Sequence, residues 1–198
     1  MATITASQVQ ELRQRTGVGM MECKKALEET SGDLEAAIDL LRTRGQAKAA
    51  KKAGRETGEG LVESYIHLGG KIGVLIEIDC ETDFVAKTDA FRELARSLAM
   101  QVAAAAPLAV DRGGLDPEVV EREMGIYRQQ AEDSGKPAEI VEKIASGKLE
   151  KWFQEVCLLD QAYIKDPDRK VSDVVNEAVQ RLGENVVVRR FTRYEVGE

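Results

Sequence analysis

Residues 61–80 read LVESYIHLGGKIGVLIEIDC, and this stretch decides the fold class. Leu61, Glu63, Tyr65 and His67 alternate with Val62, Ser64, Ile66 and Leu68, the period-two pattern of a strand. Gly69-Gly70 supplies a tight hairpin turn. Ile72 to Cys80 is rich in β-branched residues, and Gly73 within it marks a bulge or a close approach. A later run, Val186-Val187-Val188-Arg189-Arg190-Phe191-Thr192-Arg193-Tyr194, reads as a third strand that pairs with the hairpin. Helical patterns fill the sequence between them, so the expected class is α+β, a three-stranded antiparallel sheet covered by helices.

Upstream of the hairpin the period changes to that of helices. Thr5 with Gln8 three residues later forms a capping box, and Ile4 and Val9 are placed for a hydrophobic staple across it. Gly17-Val18-Gly19 breaks this helix, and a second runs from about Met20 to Glu29 with Cys23, Ala26 and Leu27 inward. Asp33 caps a third helix carrying Leu34, Ile38 and Leu41, which Gly45 is expected to end. Residues 46–60, Ala/Lys-rich and then Gly-rich, read as a linker that is helical at its start. Downstream, residues 88–105 carry Phe91, Leu94, Ala95, Leu98, Ala99 and Val102 on one helical face. Residues 117–133 and 137–159 are expected helices, the second interrupted at Gly147. A loop around Pro167 then leads to a helix at about 172–182.

The chain has 198 residues, enough for one ordinary domain or two smaller ones without metal or disulfide staples. Its 32% charged and 43% apolar residues make a soluble, globular composition. No stretch approaches a membrane span, and Met1-Ala2-Thr3-Ile4 has no signal-peptide character. Cys23, Cys80 and Cys157 are odd in number, far apart and without metal-ligand spacing, as expected of free thiols in the cytoplasm. The net charge of −7 argues against direct nucleic-acid binding. That charge is uneven: residues 1–55 are net positive and residues 56–198 strongly negative. The expected division is therefore a three-helix module with a basic linker at 1–55 and an α+β domain at 56–198.

Little in this chain can carry covalent chemistry. The single histidine, His67, excludes any mechanism that needs two, and no dinucleotide, P-loop or nucleophile-elbow motif occurs. No cofactor or metal is expected. Cys80-Glu81-Thr82-Asp83-Phe84-Val85-Ala86 joins a strand to a helix, a junction where a rigid scaffold aims a short loop. Thr82 or Asp83 can cap the next turn, and Phe84 is either a core side chain or an apolar anchor for a partner's pocket. Met20 and Met21 are adjacent, so one must face away from the bundle, with core filling the ordinary role of the other. Arg13 and Lys24 can flank such a surface or remain solvated charges. Lys48, Lys51 and Lys52 read as a solvated linker face or, alternatively, as a contact to an acidic partner. These residues together point to a binding or regulatory protein, not an enzyme.

Two of these segments resemble signatures of one family. Leu12-Arg13 and Arg15-Thr16-Gly17-Val18-Gly19-Met20-Met21-Glu22-Cys23-Lys24-Lys25-Ala26-Leu27 are similar to the N-terminal signature of translation elongation factor Ts, and residues 80–86 to its second. Ser134-Gly135-Lys136-Pro137 and Phe191 to Gly197 extend the resemblance along the chain. It implies a guanine-nucleotide exchange factor in protein biosynthesis whose partner is the GTPase elongation factor Tu. It also implies that the three-helix module is UBA-like and docks on that GTPase through Arg13, Met20, Met21 and Lys24. Thr82, Asp83, Phe84 and Val85 would then work beside the partner's Mg²⁺ site, with Phe84 as a wedge. Many members carry two tandem copies of the core subdomain, whereas this chain has strands for one, so a homodimer through the sheet is expected. Gln101 stands where the family often has His, a departure from the family pattern. The competing function is a non-catalytic adaptor gripping a ubiquitin-like or ribosomal partner.

Overall fold

A computed structural model describes residues 4–197. The elements in chain order are α1 (Ala6–Thr16), α2 (Met20–Glu29), α3 (Leu34–Lys52), β1 (Glu59–Ile66), β2 (Ile72–Cys80), α4 (Asp83–Ala86), α5 (Asp89–Ala105), α6 (Pro117–Glu132), α7 (Ala138–Val156), β3 (Ala162–Tyr163), β4 (Asp166–Lys170), α8 (Val171–Leu182) and β5 (Val186–Glu195). The main sheet has the order β1-β2-β5. His67 N–H donates to Ile72 O at 2.9 Å and Val196 N–H to Lys71 O at 2.9 Å, the ties expected of two antiparallel neighbours of β2.

The chain forms two compact units, interleaved in sequence. One runs to Leu61 and takes in Ile78–Leu94 and Asp173–Val187; the other holds Val62–Glu77, Ala95–Ser172 and the chain from Val188 onward.

In the first unit, α1, α2 and α3 enclose a core of Val9, Leu12, Val18, Cys23, Ala26, Leu27, Ala37 and Leu41. Local chemistry sets the boundaries. The Thr5–Gln8 capping box is complete, and Asp33 caps α3 by accepting from Ala36 N–H at 3.0 Å. Gly17 adopts φ 68° and closes α1 by donating to Arg13 O at 2.8 Å, a left-handed cap that suits glycine.

The sequence places the end of α3 wrongly. Instead of stopping at Gly45, the helix continues to Lys52. A Cβ at Gly45 would lie 2.4 Å from Gln180 Oε1, so this glycine admits a neighbouring side chain and does not terminate the helix. Lys48 consequently belongs to α3 and pairs with Glu22 of α2, which holds the Glu22 carboxyl below its usual range.

In the second unit β2 alternates, with Val74 and Ile76 buried and Leu75 exposed. Ala95, Leu98, Ala99 and Val102 of α5 are buried, and Arg193 of β5 donates to Ala103 O at 3.4 Å. Helices α6 and α7 form a hairpin pinned by Arg128–Glu142 at 2.7 Å. Gly147 does not interrupt α7; it lies inside the helix, where nothing stands near its Cβ position. The helix ends before the expected residue 159, because Val156 O accepts from Leu108 N–H at 2.8 Å and Leu158 N–H returns to Ala109 O at 2.9 Å. The expected loop around Pro167 is a small antiparallel ribbon pairing Ala162 with Lys170 and Tyr163 with Asp166. Proline is tolerated on such an edge strand, and the short polar run carries little strand signal.

Leu27 is fully buried in the core of the three-helix module. Leu27→Ala is expected to cost about 3 kcal/mol by urea denaturation, as buried leucine truncations do. A loss below about 1 kcal/mol would mean that the bundle is loosely packed.

Candidate functional site

β2 ends at Cys80, and the chain then turns into the single-turn helix α4. A four-residue helix does not sustain itself in water, because nucleation fixes several dihedrals for one hydrogen bond. Side chains supply what is missing. Thr82 is extended (φ −133°, ψ 153°) and caps α4, its hydroxyl accepting from Val85 N–H at 3.5 Å. Asp83 carries negative charge into the first turn, where the helix dipole favours it, and accepts from Lys87 Nζ at 2.6 Å. That bond holds the Asp83 carboxyl below its usual range.

The loop is braced from a distant part of the chain. Glu184 Oε2 accepts from the backbone N–H groups of Glu81 (3.1 Å) and Thr82 (3.0 Å), and Oε1 accepts from Thr82 Oγ1 at 2.6 Å. The Glu81 carboxylate accepts from Asn185 N–H at 2.6 Å and pairs with Arg55 at 3.3 Å. Asn185 itself is buried and donates through Nδ2 to Arg55 O at 3.0 Å. These bonds, the Asn185 N–H first, lower the Glu81 pKa. Glu184 and Asn185 are neighbours of the loop that sequence reasoning missed, and it gave Glu81 no role in bracing the loop. Their contacts span more than 100 residues, and no local pattern signals them.

On this braced turn Phe84 stands 81% exposed. Of the two sequence readings, core packing is excluded and a projecting apolar ring remains. Val85 is half-buried and Thr82 faces Glu184, so the turn presents one large apolar side chain with Asp83 beside it.

Among the other candidates, Met20 and Met21 are 44% and 65% exposed. Neither fills the core, whose α2 contribution is Cys23, Ala26 and Leu27. Lys24 lies one helical turn on from both methionines and is exposed, 3.8 Å from Glu28. Arg13 is exposed in the last turn of α1. Both groups of candidate residues fall within the first compact unit.

Gln101 takes no part in an exposed surface. It is fully buried, donating through Nε2 to Gln161 Oε1 and Ala162 O, each at 3.1 Å, and accepting from Ile164 N–H at 2.8 Å.

The thiols are poorly suited to nucleophilic work. Cys23, Cys80 and Cys157 are all buried, and burial pushes each pKa up, away from the thiolate that attack requires. Cys80 Sγ donates to Thr82 O at 3.2 Å. His67 lies near the hairpin turn with its ring against Tyr65, whose hydroxyl is 3.0 Å from Nδ1. Among the described residues no group of three His, Cys, Asp or Glu is placed to hold a metal ion. No described helix is long and apolar enough to cross a membrane.

The three thiols are expected to react with Ellman's reagent only as slowly as the protein opens, and at once in denaturant. A stoichiometric fast phase in the native protein would contradict this burial.

The family Elongation factor TS matches residues 3–198. The chain is 58% identical over 195 residues to Elongation factor Ts of Syntrophomonas wolfei subsp. wolfei, covering 98% of this chain and 91% of that protein. It is 59% identical over 195 residues to Elongation factor Ts of Moorella thermoacetica, covering 98% and 96%. To Elongation factor Ts of Desulfosudis oleivorans it is 52% identical over 198 residues, covering both chains completely.

Proposed function

The chain belongs to the elongation factor Ts family, the nucleotide exchange factors of elongation factor Tu, and from that premise we propose how its residues promote GDP release. The three-helix module, residues 1–55, docks on the GTPase through Arg13, Met20, Met21 and Lys24. Thr82, Asp83, Phe84 and Val85 then reach the partner's Mg²⁺ site. The observation that carries this reading is the exposure of Phe84 on a turn whose backbone is tied down.

Moving a phenylalanine ring from water into an apolar pocket yields about 2–3 kcal/mol. Because the turn is already ordered, little of that gain is lost to fixing the loop. Spent in the partner, it separates elements that hold Mg²⁺. The ion neutralises phosphate charge, so its loss weakens GDP. Linkage makes the effect reciprocal: GDP weakens the factor's hold by the ratio in which the factor weakens GDP. No bond is made or broken in this cycle, so the protein is not an enzyme and needs no cofactor, acid or base. It works in the cytoplasm beside its GTPase. The acidic chain handles nucleotide only through that partner and binds neither nucleic acid nor membrane.

A homodimer belongs to the same proposal. Val62 and Ile66 of β1, Leu75 of β2 and Tyr194 of β5 are exposed apolar side chains on the three strands of the main sheet. Val62, Leu75, Arg190 and Thr192 line a shallow groove there. An apolar sheet surface of this kind is a natural seat for a second copy of itself. Sedimentation velocity at micromolar concentration is expected to show twice the 21.8 kDa chain mass, and Leu75→Arg to return it to 21.8 kDa. A wild-type monomer would overturn the dimer.

The exchange reading is tested by release of fluorescent GDP from elongation factor Tu. Phe84→Ala is expected to slow stimulated release at least about 30-fold, the effect of losing an interface hot spot, with an unchanged thermal midpoint. Full activity of Phe84→Ala would overturn the wedge. Absence of any stimulation by the wild-type chain would favour an adaptor.

A further inference from the structure

Phe84 acts only if it leaves the surface in a set direction, and α4 is too short to set that direction itself. We propose that Glu184 is a positioning residue for nucleotide exchange: its carboxylate fixes the Glu81–Thr82 backbone and so aims Phe84. The proposal rests on the reading of Phe84 as the exchange wedge.

Three donors from the loop converge on this one carboxylate, the N–H groups of Glu81 and Thr82 and the Thr82 hydroxyl. Charge-assisted bonds of this kind are about twice as strong as neutral ones. They do two things for α4. β2 ends at Cys80, and Glu184 takes the next two backbone N–H groups in place of a strand partner. The chain is thereby held while free to turn into a helix. The Thr82 hydroxyl has a single proton and gives it to Glu184, so the lone pair it presents to Val85 N–H is oriented by that bond. The cap that starts α4 is thus set by a side chain outside the loop.

The brace is reciprocal, which makes it stiff. Glu184 holds the backbone of Glu81 and Thr82, and Glu81 holds the backbone of Asn185. The two dipeptides, Glu81-Thr82 and Glu184-Asn185, clasp each other in both directions. Arg55 closes the set by pairing with Glu81 and accepting from Asn185 Nδ2. Phe84 lies two residues beyond this clasp and, being 81% exposed, is not held by its own burial, so the clasp determines where the ring points.

The test is a double-mutant cycle read by GDP release from elongation factor Tu, with the thermal midpoint measured on every variant. Glu184→Ala is expected to slow stimulated release about tenfold, the scale of losing charge-assisted bonds. Glu184→Gln keeps an acceptor oxygen and is expected to fall between Ala and wild type. The deciding result is non-additivity: added to Phe84→Ala, Glu184→Ala should slow release by less than about twofold. A variant that is only less stable lowers activity equally in both backgrounds, and that outcome would overturn the proposal. So would wild-type exchange by Glu184→Ala. If Glu184→Ala does not fold, the cycle is run with Glu184→Gln under the same criteria. Normal exchange by Phe84→Ala alone would remove the premise, whereas loss in Phe84→Ala with none in Glu184→Ala would remove only the brace.

Discussion

An apolar ring held out in water must be held by something other than its own burial. That constraint organises the loop at the end of β2. Phe84 is largely exposed, and the hydrophobic effect alone would fold it inward or leave its turn disordered. Polar bonds counter this. Glu184 ties down the Glu81 and Thr82 backbone, Thr82 caps α4, and Lys87 holds Asp83 within the turn. The neighbouring Phe91 makes the contrast plain, since it is completely buried and needs no such scaffold. Residues seven apart in one segment are therefore placed oppositely, one in the core and one in solvent.

The three-helix module follows the same logic on a broader surface. Cys23, Ala26 and Leu27 use up the inward face of α2, which leaves Met20 and Met21 outside. Methionine is flexible and polarizable, so it suits a surface that must fit another protein. Lys24 and Arg13 bring positive charge to a chain that is acidic as a whole. In the proposed docking, this local positive charge would steer the approach of a partner of opposite sign.

Much of the fold was legible because its signals are local. Thr5 with Gln8, Asp33 before α3 and Gly69-Gly70 between strands each declare an element within a few residues. The failures were long-range in origin. Gly45 reads as a helix stop, yet its role is to make room for Gln180, some 135 positions away along the chain. The β3–β4 ribbon is carried by pairing and contains a proline, so its composition concealed it. Phe84 could not be assigned from residue type, because phenylalanine is more often core than surface. The resemblance to known exchange factors singled out Phe84, and its exposure follows from a brace whose two halves lie more than 100 residues apart.

In the proposed mechanism a positioned Phe84 weakens GDP by disturbing the partner's Mg²⁺. Its most direct test is the stimulation of GDP release measured with Mg²⁺ present and again with Mg²⁺ chelated. If the factor acts through the ion, chelation does part of its work in advance. A large acceleration by the wild-type chain is therefore expected with Mg²⁺ and a much smaller one without it. An acceleration of equal size in the two conditions would contradict it.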